Sequence, residues 1–387
     1  MDPLAPEAES QLLESLRAGD DQAGAQRVSA LELFFDLVFV FTITQLTTVL
    51  VREPNARGVA QVVLMLGVIW WMYGGYAWLT NAVPPTDATR RLILLGGMGG
   101  YLVLALAVPG AFRGSGLSFG IAYMVVVSVH ALLFSRSPSV SVGQALRGLA
   151  RANLGTATLV LVGGALGGTA QWVLWALAVS LEWITPRLTE TEGFEIAPSH
   201  FVERHGLVVI IAIGESVVAV GIGASGLPID LPLVGVALLG LALSGCLWWA
   251  YFGGDDERAE RALAAAHPRR RPRMAVDAFG YWHLPILFGI VAMAATVRRA
   301  TAHPSAHLHV EPALGLAGGA LLFMLGDVFF RRTLGIGRDR WRAICALVAP
   351  LTIPLGLWVA AVAQLGALAA LLGGALAWEY ATEGSLR

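Results

Sequence analysis

The chain has 387 residues, of which 56% are hydrophobic and only 14% are charged, with a formal net charge of −1. Soluble proteins carry about 25% charged residues, so this composition excludes a soluble globular domain and predicts an all-α polytopic membrane protein. The two cysteines stand inside apolar runs, which excludes a disulfide framework.

Residues 1–28 are predicted to form a polar cytoplasmic N-terminal tail. The first basic residue is Arg17, and no apolar run lies near it. The tail therefore lacks the basic start and the early apolar centre of a signal peptide.

About twelve apolar segments follow the tail, and each is long enough, or nearly so, to cross a bilayer as a helix. They are residues 31–51, 58–80, 92–109, 117–135, 151–167, 171–186, 201–225, 231–252, 276–298, 313–331, 341–360 and 363–380. We interpret them as a first six-helix repeat, 29–190, and a second six-helix repeat, 200–387.

Arginines indicate the side of the membrane on which each connection lies. Twenty of the 26 basic residues fall in the tail, the even-to-odd connections and the C-terminal end, or within a residue or two of them. The opposite connections hold only Arg52, Arg57, Arg113, Arg298 and Arg299. Because cytoplasmic loops are enriched in arginine, both termini are predicted to be cytoplasmic.

The first apolar segment carries Glu32, Asp36 and Gln45, which a lipid-facing helix would avoid. Charged groups within a membrane are costly unless they face protein, water or a partner. We therefore expect this helix to face the interior of a bundle.

Three stretches of the first half recur in the second half in the same order. The pairs are Asp36–Leu50 with Gly206–Val220, 70–75 with 248–254, and Glu182-Trp183 with Glu379-Tyr380. In the first pair Gln45 aligns with Glu215. An even number of helices per unit predicts parallel repeats, related by an axis along the membrane normal.

The longest predicted connection, 254–275, is a cytoplasmic polybasic loop that contains Arg269, Arg270, Arg271 and Arg273. Such a run beside a membrane attracts anionic lipid, which is the partner that we predict. A regulatory ligand site is the alternative. No nucleic-acid partner is predicted.

Several ionisable groups are expected at one depth near the cytoplasmic side, among them Glu32, Asp36, Glu203 and Arg204. Arg204 is the expected counter-ion of Glu32 or Asp36. Two interpretations stay open: salt bridges that hold the helices together, or the mouth of a solute or ion pathway.

Glu215 lies twelve residues beyond Glu203, which places it about 18 Å deeper along a helix and past the middle of the membrane. Its neighbours Gly214 and Ser216 are small. Together with Gln45 at the equivalent depth, it is the predicted central site for protonation coupling or cation binding. The alternative is a neutral glutamate that hydrogen-bonds to a neighbouring helix.

His283, two residues before Pro285, is a further pathway candidate, with a packed histidine as the alternative. His303, His307 and His309 share one outer loop, but no paired ligand motif accompanies them, so no metal or other cofactor is predicted. No nucleophile–base pattern is present, and we predict that the chain is not an enzyme.

Two stretches resemble the signature stretches of the bacterial low temperature requirement A family, abbreviated LtrA. They are residues 32–40, Glu-Leu-Phe-Phe-Asp-Leu-Val-Phe-Val, and residues 203–207, Glu-Arg-His-Gly-Leu, followed by Gly214-Glu215-Ser216. The resemblance covers nearly the whole chain in length, helix count and motif order. It implies a multi-pass protein of the bacterial cytoplasmic (inner) membrane.

A second similarity concerns residues 35–39 with Ile43-Thr44. They are similar to the first, pore-lining helix of the lysosomal and bacterial potassium channels that are built from six-helix repeats. Phe35, Ala30 and Gly206 replace the serine, arginine and second aspartate of that motif. The similarity implies that helices 1 and 7 line a central path.

We therefore expect a transporter or channel for an ion or small polar solute, with a central polar site between helices 1 and 7. Its pathway residues are predicted to be Glu32, Asp36, Gln45, Glu203, Arg204, Glu215 and His283. The alternative is a structural or lipid-interacting membrane protein that supports the envelope in the cold without transport.

Overall fold

The computed structural model describes residues 28–135, 140–188 and 196–384, and all regular structure within these residues is helical. The predicted N-terminal tail, apart from Val28, lies outside the described residues. The helices are α1 (Ala30–Arg52), α2 (Ala56–Ala82), α3 (Ala88–Ala107), α4 (Gly116–Phe134), α5 (Val140–Leu166), α6 (Gly168–Leu188), α7 (Pro198–Gly223), α8 (Leu231–Phe252), α9 (Asp255–Ala265), α10 (Arg271–Ala275), α11 (His283–Ala302), α12 (Val310–Leu334), α13 (Arg340–Val348), α14 (Ile353–Trp358) and α15 (Ala361–Gly384).

Eleven stretches of the described chain are long and apolar enough to cross a membrane, and they coincide with eleven of the twelve predicted segments. The exception is 171–186, which forms α6. Its 21 residues would span about 30 Å, but Gln171 and Glu182 lower its apolar character. The prediction of an all-α polytopic membrane protein is confirmed. One of the twelve predicted segments forms a helix that is not apolar enough to be counted as membrane-spanning.

The two halves of the bundle meet at α1 and α7. The first of these helices packs against α2 and α3 of its own half, and also against α7 and α11 of the other half. The second packs against α8 and α11, and it also reaches α2. The helices that carry most of the predicted pathway residues are therefore neighbours at the contact between the halves.

Glycines permit close backbone contact within each half. A Cβ on Gly289 of α11 would lie 2.5 Å from the carbonyl oxygen of Gly319 on α12, and Gly116 of α4 meets Gly164 of α5 in the same manner. Small residues let membrane helices approach closely enough for backbone packing, so any larger side chain would separate these pairs.

The polybasic loop contains two short helices, and one turn of π-helix follows it. Helix α9 begins after Gly254, whose φ of 104° is accessible to glycine without a steric penalty. At the other end of α9, the Arg271 guanidinium donates to the carbonyl oxygens of Ala264 and Ala266. The π-helical turn, Val276–Tyr281, then leads into α11.

Candidate functional site

The carboxylates of α1 face the interior of the bundle. Glu32 and Asp36 are 3% and 0% exposed, whereas Phe34 and Leu37 on the opposite face are 52% and 57% exposed. A capping box at Ser29 occupies Glu32 Oε2, which accepts from the Ser29 backbone nitrogen at 2.9 Å. The other oxygen of Glu32 is thereby directed toward α7.

Arg204 of α7 neutralises both carboxylates. Its Nη1 lies 3.0 Å from Glu32 Oε1, and its Nη2 lies 2.8 Å from Asp36 Oδ1. The side chain is 1% exposed, so solvent does not screen these ion pairs. The prediction that Arg204 is the counter-ion is confirmed, and it serves both acids rather than one.

Polar side chains from α2 and α7 complete this central ion-pair network. Thr80 Oγ1 accepts from Arg204 Nη1 at 3.2 Å, and His200 Nε2 lies 3.0 Å from Glu32 Oε1. The Tyr73 hydroxyl lies 3.0 Å from Asp36 Oδ1 and 3.1 Å from the carbonyl oxygen of Arg204. Three helices from both halves are therefore held by one buried network.

Glu203 lies apart from the central network. It is exposed, and its Oε2 accepts from the Val28 backbone nitrogen at 3.3 Å. Adjacent residues of a helix point about 100° apart, and on α7 this rotation turns Glu203 outward while Arg204 faces α1. His200, one helical turn earlier, occupies the place in the network that Glu203 was expected to fill.

Glu215 is buried at the contact between α1 and α7, but its partner is Thr44. The Thr44 hydroxyl donates to Glu215 Oε2 at 2.6 Å. Gln45 is half-buried and makes no hydrogen bond to Glu215 among the described residues. The hydroxyls of Thr47, on the next turn of α1 after Thr44, and of Ser216, the residue after Glu215, are buried without a hydrogen-bond partner in the described part of the chain.

The deep glutamate also differs from Glu32 and Asp36 in its charge balance. It makes no ion pair in the described part of the chain, where its side-chain partner is the Thr44 hydroxyl. A buried carboxylate without a paired cation is costly when ionised. This position is therefore suited to hold a proton or to bind a small cation.

His283 is a fully buried, hydrogen-bonded side chain. Its Nδ1 lies 3.0 Å from the carbonyl oxygen of Ala278, which fixes the hydrogen on that nitrogen. Its Nε2 is then the acceptor for the Tyr251 hydroxyl at 2.7 Å. The ring stacks on Trp70, and both nitrogens are used. This geometry favours the packed-histidine interpretation.

A second ion-pair network lies in the second half, and the sequence did not predict it. Arg331 and Arg342 are 1% and 4% exposed and neutralise Asp255, Asp327 and Glu379. Arg342 contacts all three acids at 2.7–3.0 Å, and Arg331 contacts Asp255 and Glu379 at 2.8–2.9 Å. Helices α9, α12, α13 and α15 are joined there.

The positions of these two arginines in the sequence contained a usable signal. Arg331 stands in the last turn of the apolar segment 313–331, and Arg342 stands at the start of segment 341–360. We interpreted both as cytoplasmic topology markers. An arginine at the end of an apolar segment is also the expected partner of a buried acid, and Asp327 and Glu379 stand inside apolar segments of the same half.

The polybasic loop divides into two pairs of arginines. Arg269 and Arg270 are exposed. Arg271 caps α9, and Arg273 binds Asp277 and the carbonyl oxygen of Pro186. The first pair is thus more exposed than the second.

Among residues 28–135, 140–188 and 196–384, no three His, Cys, Asp or Glu side chains are grouped as a set of metal ligands. The histidines of the outer loop, His303, His307 and His309, do not converge on such a set.

Comparison with known proteins gives one family and one relative. The chain matches the family described as "Bacterial low temperature requirement A protein (LtrA)" over residues 27–377. An uncharacterized protein of Rhizobium meliloti (strain 1021) is 30% identical over 321 residues, which cover 78% of this chain and 76% of the relative. No solved structure matches the chain with statistical significance.

Proposed function

We propose a function for this chain from one premise: it belongs to the bacterial low temperature requirement A family. In this proposal the chain is a transporter or channel of the bacterial inner membrane rather than an enzyme. It moves an ion or a small polar solute along the contact between α1 and α7. The observation that carries the proposal is the buried glutamate at this contact, Glu215, whose partner is a hydroxyl instead of an arginine.

Further hydroxyl oxygens stand close in the sequence to Glu215 and to its partner Thr44, on the same two helices. Thr44 already contacts it, and the hydroxyls of Thr47 and Ser216 have no partner among the described residues. Hydroxyl and carboxylate oxygens are ligands for small cations, and they also transmit protons. A solute that crosses between α1 and α7 would exchange with the proton or cation held by this glutamate.

The central ion-pair network would form the cytoplasmic mouth of the path. Arg204 lies between Glu32 and Asp36 and closes the contact between α1 and α7 at that end. Two atoms of the network, Arg204 Nε and Asp36 Oδ2, are buried without a partner in the described part of the chain. They offer one donor and one acceptor to a polar solute when the ion pairs open.

The proposal includes two parallel six-helix repeats. Contacts within the halves follow the same order, since α1 packs on α3 as α7 packs on α11, and α2 packs on α6 as α8 packs on α15. Asp36 touches Tyr73, and a Cβ on Gly206, its counterpart in the second half, would lie 4.0 Å from the Tyr251 ring. These matches support the alignment of Asp36 with Gly206.

Flux through purified protein in liposomes tests the proposal. Wild-type protein is expected to carry one of the ions or small solutes screened, and Glu215→Gln is expected to abolish the pH dependence of that flux. Glu257→Gln is the matched control, because it makes the same chemical change on the exposed face of α9. Unchanged pH-dependent flux in Glu215→Gln would remove the buried glutamate from the mechanism.

The proposed orientation has a separate test. Cysteine at Arg270 should react with a membrane-impermeant maleimide only in inverted vesicles, and cysteine at Arg57 should react only in intact cells, in a background lacking Cys246 and Cys345. Both replaced side chains are exposed. The reverse pattern would place the termini outside.

A second candidate function is favoured by the pairing of the other acids. Glu32, Asp36, Asp255, Asp327 and Glu379 are all neutralised by buried arginines, as in a protein whose charges hold its helices together. Such a protein would support the envelope in the cold and bind lipid without transport. Correctly folded protein that carries no ion or solute in the liposome screen would favour this candidate.

A further inference from the structure

Glu182 of α6 is a buried acid of the first half, and no arginine forms an ion pair with it among the described residues. The side chain is 1% exposed. Its Oε1 accepts from the Tyr123 hydroxyl at 2.6 Å and from the Thr156 hydroxyl at 2.8 Å. Its Oε2 is buried and has no hydrogen-bond partner among the described residues.

The counterpart of Glu182 in the second half has different partners. Glu182 aligns with Glu379, which receives Arg331 Nη1 at 2.8 Å and Arg342 Nε at 2.9 Å. Within the described residues, the chain thus stabilises Glu379 as an anion and gives Glu182 only hydroxyl partners. A buried carboxylate that lacks a cation is far more costly than a buried carboxylic acid.

Both hydroxyls at Glu182 have a second acceptor. The Tyr123 hydroxyl lies 3.3 Å from the carbonyl oxygen of Val68, and the Thr156 hydroxyl lies 2.9 Å from the carbonyl oxygen of Asn153. Each hydroxyl hydrogen can therefore point to Glu182 or to a backbone carbonyl. When the hydrogen points to the carbonyl, the hydroxyl oxygen can accept a hydrogen from a protonated Oε1.

The groups that face Glu182 come from four helices. Tyr123 lies on α4 and Tyr101 on α3; the Tyr123 phenol contacts Glu182 directly, and the charge of Glu182 acts on the buried Tyr101 phenol. Helix α5 contributes Thr156 and a carbonyl oxygen, and α2 contributes the carbonyl oxygen of Val68. None of these groups is a cation at neutral pH.

We propose that Glu182 is a proton-binding site built into the first half of the protein. On protonation one hydrogen joins Oε1, and one of the two hydroxyls, Tyr123 or Thr156, turns its hydrogen to its backbone carbonyl oxygen and accepts the new hydrogen, while the other keeps donating to Oε1. On release that hydroxyl turns back. One proton is bound or released, no other bond changes, and no helix has to move. This inference does not depend on the transport function proposed above.

Infrared difference spectroscopy of the full-length protein in lipid nanodiscs tests the site. Spectra taken between about pH 5 and about pH 10 should show a carboxylic-acid C=O band that disappears as the pH rises. The band should be absent in Glu182→Gln, whose amide has almost the same size and shape. Isotopic labelling of glutamate identifies the band as a glutamate signal.

Variants of the two hydroxyls keep the test decisive if Glu182→Gln does not fold. Tyr123→Phe and Thr156→Val each remove one donor to the ionised form, so each should move the pH midpoint of the band upward by about one unit. Thr158→Val is the control, because the Thr158 hydroxyl bonds to the carbonyl of Leu154 on its own helix and faces outward.

Three results would overturn the inference. A glutamate band that is missing at every pH would show a permanently ionised group. A band that persists unchanged to the highest pH would show a permanently neutral group. Loss of the band on addition of sodium or potassium at constant pH would identify a cation site instead.

Discussion

Arg204 Nη2 lies 2.8 Å from Asp36 Oδ1, although the two residues are 168 positions apart in the chain. The first residue belongs to α7 and the second to α1, so this contact joins the two halves of the protein. Arg204 also neutralises Glu32, and the three side chains are almost fully buried. Their charges are therefore balanced by one another rather than by solvent.

The first prediction concerns the stability that Arg204 provides. Arg204→Met leaves Glu32 and Asp36 buried without a cation, which should lower the free energy of unfolding by about 3–5 kcal/mol. Thermal unfolding in detergent measures the change. The free energy of unfolding of Arg204→Lys should lie between those of the wild type and Arg204→Met. One ammonium cannot reproduce the two separate contacts of the guanidinium.

A charge-matched variant serves as the control for that measurement. Arg204→Met combined with Glu32→Gln and Asp36→Asn removes the uncompensated charges and should recover much of the lost stability. If Arg204→Met melts at the wild-type temperature, the ion pairs do not hold the halves together.

Two adjacent glycines of α12 should respond in opposite ways to alanine. A Cβ on Gly319 would lie 2.7 Å from the carbonyl oxygen of Gly289, whereas a Cβ on Gly318 would meet no atom within 4 Å. Gly319→Ala should cost about 1–3 kcal/mol, because α11 and α12 must separate. Gly318→Ala should be neutral or stabilising by up to about 1 kcal/mol, and equal melting temperatures would contradict the close contact.

Thr44 and Thr48 provide a matched pair at the α1–α7 contact. The Thr44 hydroxyl bonds to Glu215, whereas the Thr48 hydroxyl bonds to the backbone carbonyl of Thr44 on its own helix. Thr44→Val should reduce the liposome flux at least tenfold, since the loss of a hydrogen bond to a carboxylate costs about 1.5–3 kcal/mol. Thr48→Val should keep most of the flux, and similar losses in both variants would argue against a specific role for Thr44.

Different arginines of the polybasic loop should govern lipid binding and stability. Arg269→Gln with Arg270→Gln should weaken binding to vesicles that contain anionic lipid, by about 1 kcal/mol per arginine. Arg271→Gln should instead lower the melting temperature, because this side chain caps α9. Binding that is insensitive to the first pair would place the lipid contact elsewhere on the protein.

The positions of the helices could be predicted from the sequence because long apolar stretches have few alternatives in a bilayer. The burial of Glu32 and Asp36 was predictable for the same reason: a charge within such a stretch needs a partner, and Arg204 was the cation at the matching depth. Helix α6 was correctly placed, although Gln171 and Glu182 weaken its apolar character.

The contacts at Glu215 show where the sequence was insufficient. The alignment of the halves paired Gln45 with Glu215, but equivalent positions in two repeats need not touch. Successive residues of a helix point about 100° apart, so Thr44 faces α7 while Gln45 is turned away from that direction. Rotation of a helix about its axis is set by packing across the whole bundle, which one sequence does not report.

The central network joins residues that are synthesised at different times, which has a consequence for membrane insertion. A nascent chain that ends before α7 contains Glu32, Asp36 and Thr80 but lacks Arg204, the base that binds them. During membrane insertion, the acids of α1 must stay near the lipid headgroups or bind water until the seventh helix is synthesised. A separately expressed fragment that ends before α7 is therefore expected to insert poorly into the membrane and to be degraded by proteases. Expression of the fragment from α7 onward in the same cell should reduce both effects.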